Sequence, residues 1–102
     1  MADGLLGGHV AASGVKHTLY TCGAGVKAVF RLHCSNPSTS SDADIKIFVD
    51  DGVNEFIATL APVEQESTLV IPNLVLSAGQ SVKVESDVAN VVFIANGIED
   101  LV

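Results

Sequence analysis

The sequence predicts an all-β fold, a single-domain antiparallel β-sandwich (Ig-like or jelly-roll-like) of about seven to eight strands. Three observations lead there. Short apolar and β-branched runs alternate with polar residues along most of the chain. Turn-forming residues punctuate those runs roughly every ten positions, the spacing of a sandwich. No stretch keeps a helical period over three turns. At 102 residues the chain has room for one domain, and nothing in it repeats.

Taken in order, Lys16 to Cys22 reads as a strand, turned by Gly23-Ala24-Gly25. Val26 to Ser35 is the next, with Ala28, Phe30, Leu32 and Cys34 on one face. Asn36 to Asp42 is a polar loop. Ala43 to Asp50 returns, with Ile45, Ile47 and Val49 alternating against Lys46 and Phe48. Asp51-Gly52 is a strong hairpin signal, and Glu55 to Leu60 follows before Ala61-Pro62 breaks the pattern. Thr68 to Leu76 is interrupted by Pro72-Asn73, which predicts an edge or bulged strand. Ser77 to Gln80 turns the chain into Ser81 to Ser86, where Val82 and Val84 oppose Lys83 and Glu85. Asp87 to Asn90 turns again, and Val91 to Ile98 closes the domain. The sandwich is therefore expected over residues 16–102. Residues 1–15, with Gly4, Gly7 and Gly8, are expected to be a flexible N-terminal arm whose removal spares the fold.

Twelve acidic residues against five basic ones give a formal charge of −7. Binding to nucleic acid, or to an anionic membrane, needs lysines and arginines to displace counterions, so both partners are excluded as expectations. No segment has the roughly 20 consecutive apolar residues of a membrane-spanning helix. The N-terminus lacks the basic start and long apolar run of a secretory signal, and Met1 is expected to begin a complete gene product made in a cytoplasm. Cys22 and Cys34 sit too far apart along their hairpin to bridge, and are expected reduced and packed as small apolar residues.

No catalytic apparatus emerges, and the chain is expected not to be an enzyme. His33 and Cys34 are strand neighbours, so their side chains point to opposite faces and cannot pair directly. No serine sits in a Gly-x-Ser-x-Gly elbow. His17, Cys22, His33 and Cys34 lack the short-spaced clip of a zinc site. Asp42, Asp44, Asp50 and Asp51 are the residue types that loop-bound calcium takes, but turns favour Asp for backbone reasons alone. No metal and no cofactor is assigned. With no tryptophan and one tyrosine the chain is poorly equipped to stack sugars.

What remains is surface. The apolar fraction of 48% is high for so small a domain, because a chain this short buries only about two-thirds of its unfolded surface. In the last strand Val91, Phe93 and Ala95 lie on one face, and Val92, Ile94 and Ile98 on the other. A sandwich strand turns only one face to its own core, so the second face needs a cover. The N-terminal arm is one candidate cover and a neighbouring subunit is the other.

The segment Thr18-Leu19-Tyr20-Thr21, followed by Ala24-Gly25 and a Val- and Phe-rich strand ending near Asn36, resembles the opening of small structural proteins of tailed bacteriophages. The Asp50-Asp51-Gly52 hairpin, the stretch Asn73 to Ser81, and Ser86 to Val91 through Gly97-Ile98-Glu99 are similar to the same group. The departure is at Cys22-Gly23, where that group has a Val-Pro pair. The resemblance spans about residues 16 to 100 of the chain. It implies a virion component without catalytic residues, of the capsid decoration (cement), tail, baseplate or fibre type. A lone domain without a stalk suits decoration best. The resemblance then implies a homo-oligomer, a trimer by preference, on the capsid surface, with the major capsid protein or another virion protein as its partner. Leu5, Leu6 and Val10 of the arm and Val92, Ile94 and Ile98 of the last strand are the expected interface residues. A carbohydrate- or calcium-binding sandwich stays open beside it.

Overall fold

The computed structural model describes residues 3–101. Eight strands form: β1 Asp3–Val10, β2 His17–Thr21, β3 Val26–Asn36, β4 Ala43–Asp50, β5 Glu55–Val63, β6 Ser67–Leu76, β7 Ser81–Ser86 and β8 Val92–Leu101. They make two four-stranded sheets. Sheet A runs β1-β8-β3-β6, and sheet B runs β2-β7-β4-β5. Every pairing is antiparallel, and the pairs are nested: β4 with β5, β3 with β6, β2 with β7, β1 with β8. That is one long hairpin rolled over on itself, the jelly-roll form of sandwich. The body measures 45 × 27 × 18 Å between Cα extremes, and the thin dimension accommodates two sheets about 10 Å apart.

The core lies between the sheets and follows from the period-two patterns. In β3 the even residues Ala28, Phe30, Leu32 and Cys34 are buried; in β7 Val82 and Val84 are. Ile45 and Ile47 from β4 and Phe93 and Ala95 from β8 complete the inner faces. Both cysteines are free and buried. Burial pushes the Cys34 thiol up to about 12.

The segment expected to be an arm is different. Residues 3–10 form β1, an edge strand of sheet A paired with β8 from Asp3↔Ile98 to Val10↔Val92. The sandwich thus begins at Asp3 and not at residue 16. One of the glycines that read as flexible, Gly7, serves close packing instead. A Cβ on Gly7 would lie 2.3 Å from the Leu19 carbonyl oxygen, so β1 of one sheet and β2 of the other meet backbone to backbone only because residue 7 has no side chain. Bulges cooperate at this seam. Leu6 is the extra residue between Leu5 and Gly7, and Leu19 the extra residue between Thr18 and Tyr20. Both pack against the core.

Pro72-Asn73 acts as its sequence suggests. β6 is an edge strand, and its register shifts opposite Arg31, between the Phe30↔Leu74 and Leu32↔Ile71 pairs. Asn73 takes a left-handed φ of 59°, which asparagine tolerates better than most residues. The β4–β5 hairpin closes through a four-residue loop, residues 51–54. The Asp51 carboxylate accepts the Val53 and Asn54 amides there at 2.9 and 2.7 Å, and Gly52 supplies a φ of 95°. Buried Asn36 ties down the loop after β3: its Nδ2 donates to the Ser41 and Val63 carbonyls at 2.8 and 3.1 Å, and its Oδ1 accepts the Ser38 amide.

Candidate interaction surface

The strand registers set the outer face of sheet A in rows. Across β1, β8, β3 and β6 the first row is Val10, Val92, Ser35, Thr68, and the second is Gly8, Ile94, His33, Val70. The third is Leu5, Asn96, Arg31 and the Pro72-Asn73 bulge. The fourth is Ile98, Val29, Val75. Each of these positions faces away from the core because its strand neighbours face into it. The result is a broad sheet face on which two apolar groups, Val10-Val92-Ile94-Val70 and Ile98-Val29-Val75, flank a more polar middle row with Arg31 near its centre, beside a depression lined by Val29, Pro72, Asn73 and Asn96.

Five of the six expected interface residues come together here. Leu5, Val10 and Ile98 are exposed, and Val92 and Ile94 half-buried. Leu6 does not join them. As the bulged residue of β1 it turns inward and packs on the core. The face also contains Val29, Val70 and Val75, which sequence reasoning missed. Their signal was present: each alternates with a core residue on an apolar strand, as Val92 and Ile94 do.

The outer face of sheet B is of another kind. Lys83 Nζ lies 2.8 Å from Asp50 and 3.0 Å from Glu55, Lys16 pairs with Glu55, and Lys46 lies 4.0 Å from Glu85. Lys83 holds Asp50 below the usual carboxylate range, and Lys16 and then Lys83 do the same to Glu55; Asp50 in turn raises Lys83. The Lys16 ammonium also sits 4.1 Å from the centre of the Phe48 ring. This leaves outward-pointing Phe48 only 7% exposed. Such exposed pairs add little stability, but they occupy the cations. On sheet A, Lys27 and Arg31 have no carboxylate within ion-pair distance among the described residues.

One strand of sheet B departs from this polar character. β5 lies at the sheet edge, and its residues 56–61 carry no charge. Phe56, Ile57 and Leu60 are 55%, 57% and 64% exposed, and Val53 at the hairpin tip 88%. Ile57 and Leu60 sit opposite Phe48 and Lys46, so they share the outer face. Beside Leu60 a mostly apolar depression is lined by Ile45, Ala61, Pro62 and the stem of Lys46.

The carboxylates of Asp42, Asp50 and Asp51 are engaged in backbone geometry. Asp42 accepts the Gln65 amide at 3.0 Å and Asp50 the Gly52 amide at 2.7 Å. The Asp44 amide donates to Asp87 at 2.8 Å. Cys34 points into the core while His33 lies on the outer face. Among the described residues no three His, Cys, Asp or Glu side chains converge. Across the β1–β2 seam the His9 and His17 rings stack at 3.6 Å, 9° from parallel. Burial, and then the His17 charge, lower the His9 pKa.

The chain matches no protein-family model and no curated protein. Among solved structures it is similar to two crystal structures of a pentameric capsid protein isolated from metagenomic phage sequences. Both are 21% identical, with TM-scores of 0.48 and 0.47; the alignments cover 99% of this chain and 69% and 71% of the other. It is also similar to the N-terminal endo-1,4-β-D-xylanase 10B of Clostridium thermocellum complexed with xylohexaose. There the identity is 15% and the TM-score 0.44, over 87% of this chain and 20% of that one. Likeness at this level assigns neither partner nor activity.

Proposed function

We propose that this chain is a phage virion structural protein, a homo-oligomeric capsid decoration (cement) protein that grips the shell and its own copies and catalyses no reaction. The observation that carries the reading is the outer face of sheet A. It gathers Leu5, Val10, Val92, Ile94 and Ile98 with Val29, Val70 and Val75 on one side of a small domain. Exposed apolar side chains gathered on one face in this way mark an interaction site. The sequence resemblance to tailed-phage structural proteins supports the virion setting, and the jelly roll is a form that viral capsid domains use. Multiple copies on a repeating lattice would turn a modest contact into firm attachment.

Solution mass by light scattering, at several dilutions, tests the self-association. The wild type is expected as a stable oligomer, a trimer by preference, and Val92→Asp as a folded monomer. A wild type that is monomeric at every concentration would overturn the reading.

A further inference from the structure

Two apolar surfaces lie open on this molecule, and they are separate. One is the outer face of sheet A; the other is edge strand β5 with its hairpin tip. An edge strand left bare is a template for pairing, and natural proteins blunt such edges with charge. β5 has no charge between Glu55 and Glu64. Its surroundings are acidic. Asp44, Asp50, Asp51, Glu55, Glu64 and Glu85 outnumber Lys16, Lys46 and Lys83, and those lysines are already paired. The sheet A face carries cations that are not paired in this way. Arg31 and Lys27 stand without ion-pair partners among the described residues, and Asp100 lies opposite Lys27.

We propose that one contact covers both surfaces: the β5 edge and the Val53 tip of one copy dock on the outer face of sheet A of the next. The inference rests on the self-association proposed above and specifies its geometry. A two-fold dimer made face to face would bury the sheet A surface, leave β5 bare, and bring Arg31 and Lys27 toward their own copies. A head-to-tail contact buries both surfaces and sets the acidic hairpin against the unpaired cations. Repeated head-to-tail contacts close into a ring if the rotation permits. Ile57, Leu60 and Val53 enter the apolar rows of Ile94, Val70 and Ile98, and Asp51 approaches Arg31.

Complementary variants test this. Ile98→Glu spoils the face and Ile57→Glu the edge; both side chains are about half exposed in the monomer, so the fold should survive. Each variant alone is expected to be monomeric. Mixed in equal amounts they retain one good interface between them, and the mixture is expected to give a pair of twice the 10.5 kDa subunit mass and nothing larger. Val70→Glu and Leu60→Glu provide a second pair if either first variant melts well below the wild type. An Ile57→Glu protein that keeps the wild-type oligomer mass would overturn the head-to-tail contact while leaving self-association intact. So would a mixture that stays monomeric. A monomeric wild type would overturn both.

Discussion

Replacing Gly97 with alanine would press a methyl group into the neighbouring strand. Gly97 sits on β8 opposite Phe30 of β3. A Cβ built there lies 2.1 Å from the Val29 carbonyl oxygen and 2.5 and 2.6 Å from Phe30 Cα and Cβ. Non-bonded heavy atoms rest at about 3.5–4.0 Å, so β3 and β8 would have to part by about 1 Å at their tightest point. The obstacle is backbone, which cannot rotate aside as a side chain can. Phe30 is 3% exposed and meets the Tyr20 ring edge-on at 5.8 Å, so the shift spreads into the core. Overpacking of this sort costs about 1–3 kcal/mol. The unfolded chain loses freedom in the same substitution, which returns about 0.4–1 kcal/mol. A net loss of about 1.3 kcal/mol follows, and a fall in Tm of about 5–10 °C for a domain this size. Thermal unfolding followed by circular dichroism measures it. Gly23→Ala is the control, since its added Cβ meets nothing within 4 Å, and it should stay within about 0.5 kcal/mol of wild type. A Gly97→Ala protein as stable as the control would refute the steric reasoning.

Asn36→Ala removes three hydrogen bonds from a buried side chain, and stability in urea should drop by about 1–3 kcal/mol; an unchanged midpoint would count against the anchoring role. The pKa of His9 is lowered in the folded state, so its neutral form favours folding. That contribution is present above the unfolded histidine pKa of about 6.5 and is lost as pH falls below it. Carboxylates also weaken the fold in acid, so the test is a comparison between pH 7.5 and 5.0. His9→Gln should lose less Tm than wild type, and equal losses would remove His9 from the account. Cys34 should resist alkylation at neutral pH until the protein unfolds, because the thiol is both buried and held protonated; rapid labelling under native conditions would contradict its placement. Deleting residues 1–10 should destabilise the protein severely, and a truncated chain with wild-type Tm would mean that β1 contributes no stability.

Much of the sandwich was readable wherever one strand face is buried and the other wet. Val82 and Val84 against Lys83 and Glu85 allow only one orientation, and Ala28 to Cys34 likewise. The N-terminal strand was hidden because glycine disfavours strands on average, while Gly7 is there for the approach of Leu19. Local composition cannot reveal a contact made with another strand. β5 also runs further than its sequence suggests, through Pro62 to Val63. Proline is tolerated there because β5 is an edge, where one side of the backbone has no ladder to supply. The paired apolar faces of β8 pointed to the candidate surface directly. The Phe56-Ile57 pair holds the same information for β5, yet its meaning depends on β5 lying at an edge, and strand order is a property of the whole chain.

The nested strand pairing has a bearing on how the chain reaches this state. Only β4 and β5 can meet early, across four residues; each further pair spans a longer loop, and β1 waits for β8. β8 is also the strand that joins β1 to β3 within sheet A. During synthesis, therefore, β1 has no partner in its sheet until the final stretch of chain emerges, and β3 has only β6. Folding dominated by such distant pairings runs on the millisecond-to-second scale. Throughout that interval the uncharged run from Phe56 to Ala61 is exposed to other chains. Yield in the cell should consequently depend on how crowded the newly made chains are, with slower, cooler expression favouring the native roll.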